Sequence, residues 1–232
     1  MNRFRLILDP PRSAALNMAI DEMLMESQSS PAAMPALRFY SWVSPAYSIG
    51  YFQNVSEIAK RYQSKKMGLP IVRRMTGGGL VFHGQDITFS IAVKGNNPFF
   101  SGSAKESYLK ANEAVRTGLK RLYPKIDYAD CKSIPSGRAK GNRVCFEAPV
   151  CYDLLLEGKK VVGASQRRKN NLILHQSSIF LEGNETTLRN HIVEGFKQNW
   201  NIDFFEEPLT PSELELANQI EKKRYTSTDW SL

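Results

Sequence analysis

The chain has 232 residues, of which 42% are hydrophobic, and carries 31 Lys plus Arg against 23 Asp plus Glu, a formal net charge of +8. That length and apolar content support a sizeable core, which excludes a disordered chain, and residues 1–232 are expected to form one domain. The positive balance favours an acidic partner, whether nucleic acid, an anionic membrane surface or an acidic protein, without choosing among them.

Three cysteines, Cys131, Cys145 and Cys151, are an odd number at irregular spacing and a poor disulfide framework. There is no Cys-x-x-Cys pair, so no metal site is expected. The first residues alternate like a strand and lack the apolar stretch of a signal peptide. No run reaches the roughly 18 apolar residues of a membrane span. The expectation is therefore a cytoplasmic protein with reduced thiols and no membrane partner.

In chain order, residues 3–8 read as a strand. Ser13 can cap a helix whose apolar positions include Leu16, Ile20, Met23 and Leu24. Residues 28–35 are loop, and 37–42 and 47–52 are strands broken near Pro45. Asn54 can cap a short basic helix ending near Gly68. A strand at 70–74 leads into a triple-glycine turn, and 80–94 reads as strand, turn at Gly84, strand. Ser103 opens an amphipathic helix to residue 122 with Tyr108, Ala111, Val115, Leu119 and Leu122 on one face, and Pro124 ends it. Residues 126–131 suggest a strand and 132–143 a basic loop. Three or four strands fill 144–181, with turns at Gly158 and at 169–171. Helices follow at 188–200 and 212–223. No repeat or low-complexity segment interrupts the pattern. The fold class is α+β: a mixed, largely antiparallel sheet packed with helices on one side.

The richest stretch is Arg73-Arg74-Met75-Thr76-Gly77-Gly78-Gly79-Leu80-Val81-Phe82-His83. Three glycines between strands let backbone approach a ligand, and the arginines add fixed charge. A cradle for a phosphate, carboxylate or thioester and a flexible hairpin turn both fit. A P-loop does not, because no Gly-Lys-Ser/Thr follows the glycines.

These residues resemble the signature of the lipoate–protein ligase and octanoyltransferase superfamily, which is related in fold to biotin–protein ligase. A second stretch, Tyr152 to Arg168 with Lys160-Val161-Val162-Gly163-Ala164, resembles that superfamily's second hallmark. Leu174-His175-Gln176-Ser177-Ser178 resembles its closing strand. The resemblance implies a biotin/lipoate ligase-like catalytic domain. Within it, Cys145-Phe146-Glu147-Ala148-Pro149, fifteen residues before Lys160, resembles the nucleophile segment of the cysteine-dependent octanoyltransferases.

The resemblance implies that octanoate moves from octanoyl–acyl carrier protein to Cys145 and then to a lysine of a lipoyl carrier domain, such as the glycine cleavage H protein or a 2-oxoacid dehydrogenase E2. No cofactor is required on that route. Thiolates attack thioesters, and a nearby ammonium from Lys160 would stabilise the sulfur's charge. Arg73, Thr76, Gly77, Gly78, Gly79, His83, Gly163 and Ala164 are the expected substrate-binding residues. Small residues near Gly78, Val162 and Ala164 would leave room for an eight-carbon chain, and backbone N–H groups near 77–79 or 160 would meet an oxyanion.

Other readings stand beside these. A lone cysteine is commonly a small buried apolar residue. Cys151 is a rival nucleophile, though it lies inside an apparent strand at 150–156, and Cys131 is an ordinary structural cysteine. His83 is either a proton shuttle or a wall of the pocket, and His175 is more readily structural. An ATP- and Mg-dependent lipoate–protein ligase is the alternative. Gly84 stands where such ligases carry an acid, with Asp86 as a shifted substitute, and many of them have an additional domain. Arg138, Lys140, Arg143, Arg167, Arg168 and Lys169 either steer an acidic carrier or are solvated charges. No nucleic-acid-binding motif stands out. The absence of an exposed apolar stripe suggests a monomer.

Overall fold

A computed structural model describes residues 2–62, 68–132, 145–227 and 230. The strands are β1 (Asn2–Leu8), β2 (Ala36–Tyr40), β3 (Ala46–Ile49), β4 (Ile71–Arg73), β5 (Val81–His83), β6 (Ile87–Lys94), β7 (Asp127–Tyr128), β8 (Leu154–Leu156), β9 (Lys159–Lys169), β10 (Leu172–Ile179) and β11 (Ile202–Glu206). The helices are α1 (Ala14–Ser27), α2 (Val55–Tyr62), α3 (Ala104–Leu119), α4 (Glu185–Trp200) and α5 (Pro211–Ile220), the last continued by one wider π turn, Glu221–Tyr225.

Eight strands form one sheet in the order β11-β1-β2-β6-β10-β9-β8-β7. β1 pairs in parallel with β11 and β2, and the other neighbours are antiparallel, so the sheet is mixed and largely antiparallel as expected. A second sheet has the order β4-β3-β5.

The strand period of two divides the core between two faces. Phe4 and Leu6 of β1, Leu37 and Phe39 of β2, and Phe89, Ile91 and Val93 of β6 pack against α3 and α4. Ile7, Ala36 and Ala92 turn the other way, toward α1 and α5. Helices therefore cover both faces rather than one. α3 and α4 cross with backbones nearly touching: a Cβ on Gly118 would lie 2.1 Å from the His191 carbonyl oxygen, and one on Gly195 would lie 2.1 Å from that of Ala114.

The α1 face of the sheet is polar at its centre. Arg38 is fully buried and donates to Asp21 at 2.7 Å, to Asp9 at 2.7 Å and to Asn17 at 2.7 Å. Asp21 also accepts from Ser90 at 2.7 Å, Tyr40 at 3.0 Å and Gln176 at 2.7 Å. A buried charge is tolerable only when it is paired and hydrogen-bonded in this way.

The strands expected on either side of Gly84 are present, but they do not pair with each other, because β5 joins the small sheet and β6 the large one. A Cβ on Gly84, at φ 139°, would lie 3.3 Å from Pro45. β11, for which the sequence gives no expectation, pairs in parallel with β1, some two hundred residues away. Cys151 lies in a turn, not a strand, and is disulfide-bonded to Cys131, with Cα atoms 4.6 Å apart. Spacing alone does not reveal that pairing, and the expectation of reduced thiols fails for these two residues. Among the described residues, no helix is long and apolar enough to cross a membrane.

Candidate active site

β8 and β9 are joined by Glu157 and Gly158, both at positive φ, 51° and 80°. This tight turn sets Lys160 as the second residue of β9, with its side chain only 3% exposed. A buried ammonium needs a partner for each of its three N–H groups, and Lys160 Nζ has three: Asp153 Oδ2 at 2.7 Å, the Cys145 carbonyl oxygen at 2.7 Å and Cys145 Sγ at 3.6 Å. Nζ also sits 5.0 Å from the Phe146 ring centroid.

Asp153 is fully buried and accepts from the Val150 N–H at 2.6 Å and from the Tyr108 hydroxyl. Burial, then the Asp153 charge, hold the Tyr108 phenol well above its usual range, so it remains a donor there. The same oxygen accepts from the Ala164 N–H at 3.1 Å. Thus α3, the turn before β8, and β9 converge on one ammonium.

Cys145 is half-buried and is the free thiol. Its N–H donates to the Leu80 carbonyl at 2.8 Å, which docks the residue directly after the glycine turn. Gly163 faces the lysine stem: a Cβ there would lie 2.6 Å from Lys160 Cε and 2.9 Å from Nζ. Its smallness makes room for Lys160 as well as for the cavity expected beside it.

The two signature arginines part company. Arg73 donates to the carbonyls of Tyr51 at 3.0 Å, Gln53 at 2.6 Å and Trp230 at 2.8 Å, tying the C-terminal segment to the β3 loop. Arg74 turns inward, 5% exposed, and donates to the Ser48 carbonyl and hydroxyl at 3.1 and 3.0 Å and to the carbonyls of Gly77 and Gly79 at 2.8 and 2.7 Å. Burial lowers its pKa, while Cys145 and Tyr40 oppose that shift. Gly78, at φ 89°, has no room for a side chain, since a Cβ would meet Arg74 at 2.9 Å.

Thr76 is fully buried, donates to Gln176 at 2.7 Å and accepts from Ser165 at 2.8 Å, which links the glycine turn to Asp21. His83 stacks on Trp42 with ring centroids 4.0 Å apart, and its two nitrogens lie 2.7 Å from Ser48 Oγ and 2.7 Å from Asp86 Oδ2. Asp86 also accepts from the Gly84 N–H and from Thr88, and although burial opposes it, His83 and these bonds hold its carboxyl below the usual range. Both Asp86 oxygens are therefore occupied by protein donors. His175 lies in the core against Phe89, Phe100 and Tyr108, and burial pushes it down to about 3.

Arg74, His83, Cys145, Gly163, Ala164 and Gln176 share one cavity with Trp42 and Ser48. The cavity is about 340 Å³ with its open mouth included. It is a slot between the two sheets with the thiol on its wall. Of the basic residues, Arg138, Lys140 and Arg143 lie outside the described residues. Arg168 is engaged with Gly102 and Ser107, Arg167 covers the Tyr51 ring at 4.5 Å, and Lys169 is exposed. The reading of the sequence missed Asp153, Tyr108 and the inward turn of Arg74. An aspartate beside a run of leucines, in the same stretch as Lys160, was the available signal.

Fold and site together define a two-sheet domain with a free thiol on the wall of a slot and a buried ammonium beside that thiol. Residues 13–211 match the lipoyl protein ligase A/B catalytic domain, and the chain belongs to that family. It is 29% identical to octanoyltransferase LipM of Carboxydothermus hydrogenoformans over 99% of this chain and 98% of that protein. It is 32% identical to octanoyltransferase LipM of Anoxybacillus flavithermus over 94% of each. The fold is similar to the bipartite lipoate protein ligase of Thermoplasma acidophilum, with a TM-score of 0.76 and 21% identity over 100% of this chain and 96% of that one.

Proposed function

We propose that this chain is an octanoyltransferase that moves octanoate from octanoyl–acyl carrier protein to a lysine of a lipoyl carrier domain through a thioester on Cys145. The observation that carries the reading is Lys160 Nζ at 3.6 Å from Cys145 Sγ, on the wall of a slot between sheets. The relatives named octanoyltransferase support transfer of an octanoyl group.

In the first step Cys145 sulfur, as the thiolate, attacks the thioester carbonyl carbon. A new C–S bond forms, and the carrier's thiolate leaves and takes up a proton. Lys160 and the surrounding dipoles stabilise the negative charge on sulfur before attack. In the second step the ε-amine of the acceptor lysine attacks the same carbon. The C–N bond forms, the C–S bond breaks, and the amine's proton is released as Cys145 is restored. His83, linked to Ser48 and Asp86, is a wall of the slot and a candidate to relay that proton.

Gly163 and Ala164 line the slot from β9; Thr76, Gly77, Gly78 and Gly79 form the turn beside it that Arg74 and Ser165 hold, and Arg73 supports that turn from behind. The route consumes no cofactor. Residues 1–232 act as one catalytic domain and as a monomer. Acidic carrier domains suit the net charge of +8. The H protein of glycine cleavage and E2 lipoyl domains are the acceptor class.

The test is intact-mass spectrometry after incubation with octanoyl–acyl carrier protein, without ATP. An octanoyl adduct that is absent in Cys145→Ser and discharged by a lipoyl domain is the expected result. Transfer that needs ATP and free octanoate or lipoate, with Cys145→Ser fully active, would establish the ligase chemistry instead.

A further inference from the structure

The positive charge of Lys160, which hydrogen-bonds the sulfur at short range, is partly offset by a neighbouring acid. Its ammonium is paired with the Asp153 carboxylate at 2.7 Å, both groups being buried. Such a pair acts at a distance as a dipole, and its field falls off faster than that of a single charge. Arg74 differs, because all four of its hydrogen bonds end on neutral oxygens, those of Ser48, Gly77 and Gly79. Among the described residues, the groups whose negative charge favours its protonated form are Cys145 and Tyr40, not a carboxylate. The nearest acid in the same network, Asp86, spends its charge on His83, Thr88 and the Gly84 N–H.

The backbone keeps this cation beside the thiol. Arg74 holds the Gly79 carbonyl at 2.7 Å, and the next carbonyl, that of Leu80, holds the Cys145 N–H at 2.8 Å. Both side chains line the same slot. A clamp on glycine carbonyls alone needs donors, not charge. A buried guanidinium also carries a desolvation cost that neutral donors avoid.

We propose that Arg74 is a positioning residue whose unneutralised charge supplies the longer-range electrostatic attraction for anionic sulfur, and for the oxyanion formed on it, in addition to the short hydrogen bond by which the Lys160–Asp153 pair orients Cys145 and stabilises its charge. The catalytic meaning of this assignment rests on the thioester reading above, but the field itself exists whether or not octanoate is the cargo.

The experiment therefore reads the field without turnover. Cys145 is the free thiol, since Cys131 and Cys151 are bonded to each other. Its alkylation rate is measured with iodoacetate, which is anionic, and with iodoacetamide, which is neutral and of similar size. The ratio of the two rates is referred to that of the urea-unfolded protein. The wild type should favour the anion. In Arg74→Gln the ratio should fall at least tenfold, which is the effect of one charge about 12 Å away in a medium of effective dielectric near 20 and so a lower bound for a charge lining the same slot. Arg74→Lys should stay close to wild type.

A merely structural role would alter both rates together and leave the ratio unchanged in Arg74→Gln, or would lower it equally in Gln and Lys. Either result overturns the proposal. Should Arg74→Gln fail to fold, the double variant Lys160→Met, Asp153→Asn decides, because it deletes the pair without changing net charge. An anion preference that survives there supports Arg74, and one that disappears assigns the field to Lys160. Failure of octanoyl transfer with the ratios as expected would refute the thioester reading and leave the field in place.

Discussion

Replacing Gly163 with alanine should disable the site with little damage elsewhere. Gly163 lies in β9 without a left-handed backbone, so alanine brings no conformational strain, only a methyl group. That methyl would lie 2.6 Å from Lys160 Cε and 3.3 Å from Phe146, whereas ordinary contact begins near 3.4 Å. The lysine stem must retreat by about 0.8 Å, the difference between 3.4 and 2.6 Å. If Nζ moves with it, its distance to Sγ grows from 3.6 Å to beyond 4 Å, outside hydrogen-bonding range for sulfur. Losing a charge-assisted hydrogen bond costs about 1.5–3 kcal/mol, which corresponds to roughly 10- to 150-fold in the acylation step. Overpacking should add about 1–3 kcal/mol of destabilisation, several degrees in Tm for a domain of this size. Single-turnover formation of the octanoyl adduct, with thermal melting in parallel, measures both. A Gly163→Ala protein that acylates at the wild-type rate would show that Lys160 does not act where its geometry places it.

Two further outcomes follow from groups outside the slot. His175 is pushed down to about 3 by burial, below the roughly 6.5 of an unfolded chain, so between those values the unfolded state binds more protons. Stability should be intact above pH 6.5 and fall toward pH 3, by roughly 3 kcal/mol at pH 4.5; urea titrations should show this dependence and its weakening in His175→Gln, and an unchanged slope would refute it. Opening the Cys131–Cys151 bridge by the double serine variant should lower stability by about 3 kcal/mol, as for a closed loop of this order; a denaturation midpoint equal to that of the oxidised wild type would show that the bridge constrains nothing.

What the sequence reveals here depends on how local the signal is. Ser13 and Ser103 announce their helices because capping is decided within four residues, and each hydroxyl does accept the expected N–H. The alternation of residue type in β6 is equally plain, with Ile87, Phe89, Ile91 and Val93 on one face, although seven of its eight residues are buried. β11 is short, exposed at Asp203, and stabilised by a parallel partner some two hundred residues away, which no window over 202–206 can contain. The turn at Gly84 is legible, with a strand on each side, but nothing local says that β5 pairs with β3 while β6 pairs with β2 and β10. At the site, Cys145 and Lys160 were legible through the spacing they share with a family. Which of Arg73 and Arg74 faces inward was not, since adjacent residues differ only in the direction that the sheet assigns them.

The lysine's attachments have a consequence for the chemical cycle. Two of its three bonds, to Asp153 and to the Cys145 carbonyl, do not involve the sulfur. On the proposed thioester route those two anchors do not depend on the sulfur's charge, so the ammonium stays seated through loading and discharge and little of either barrier is spent on moving it.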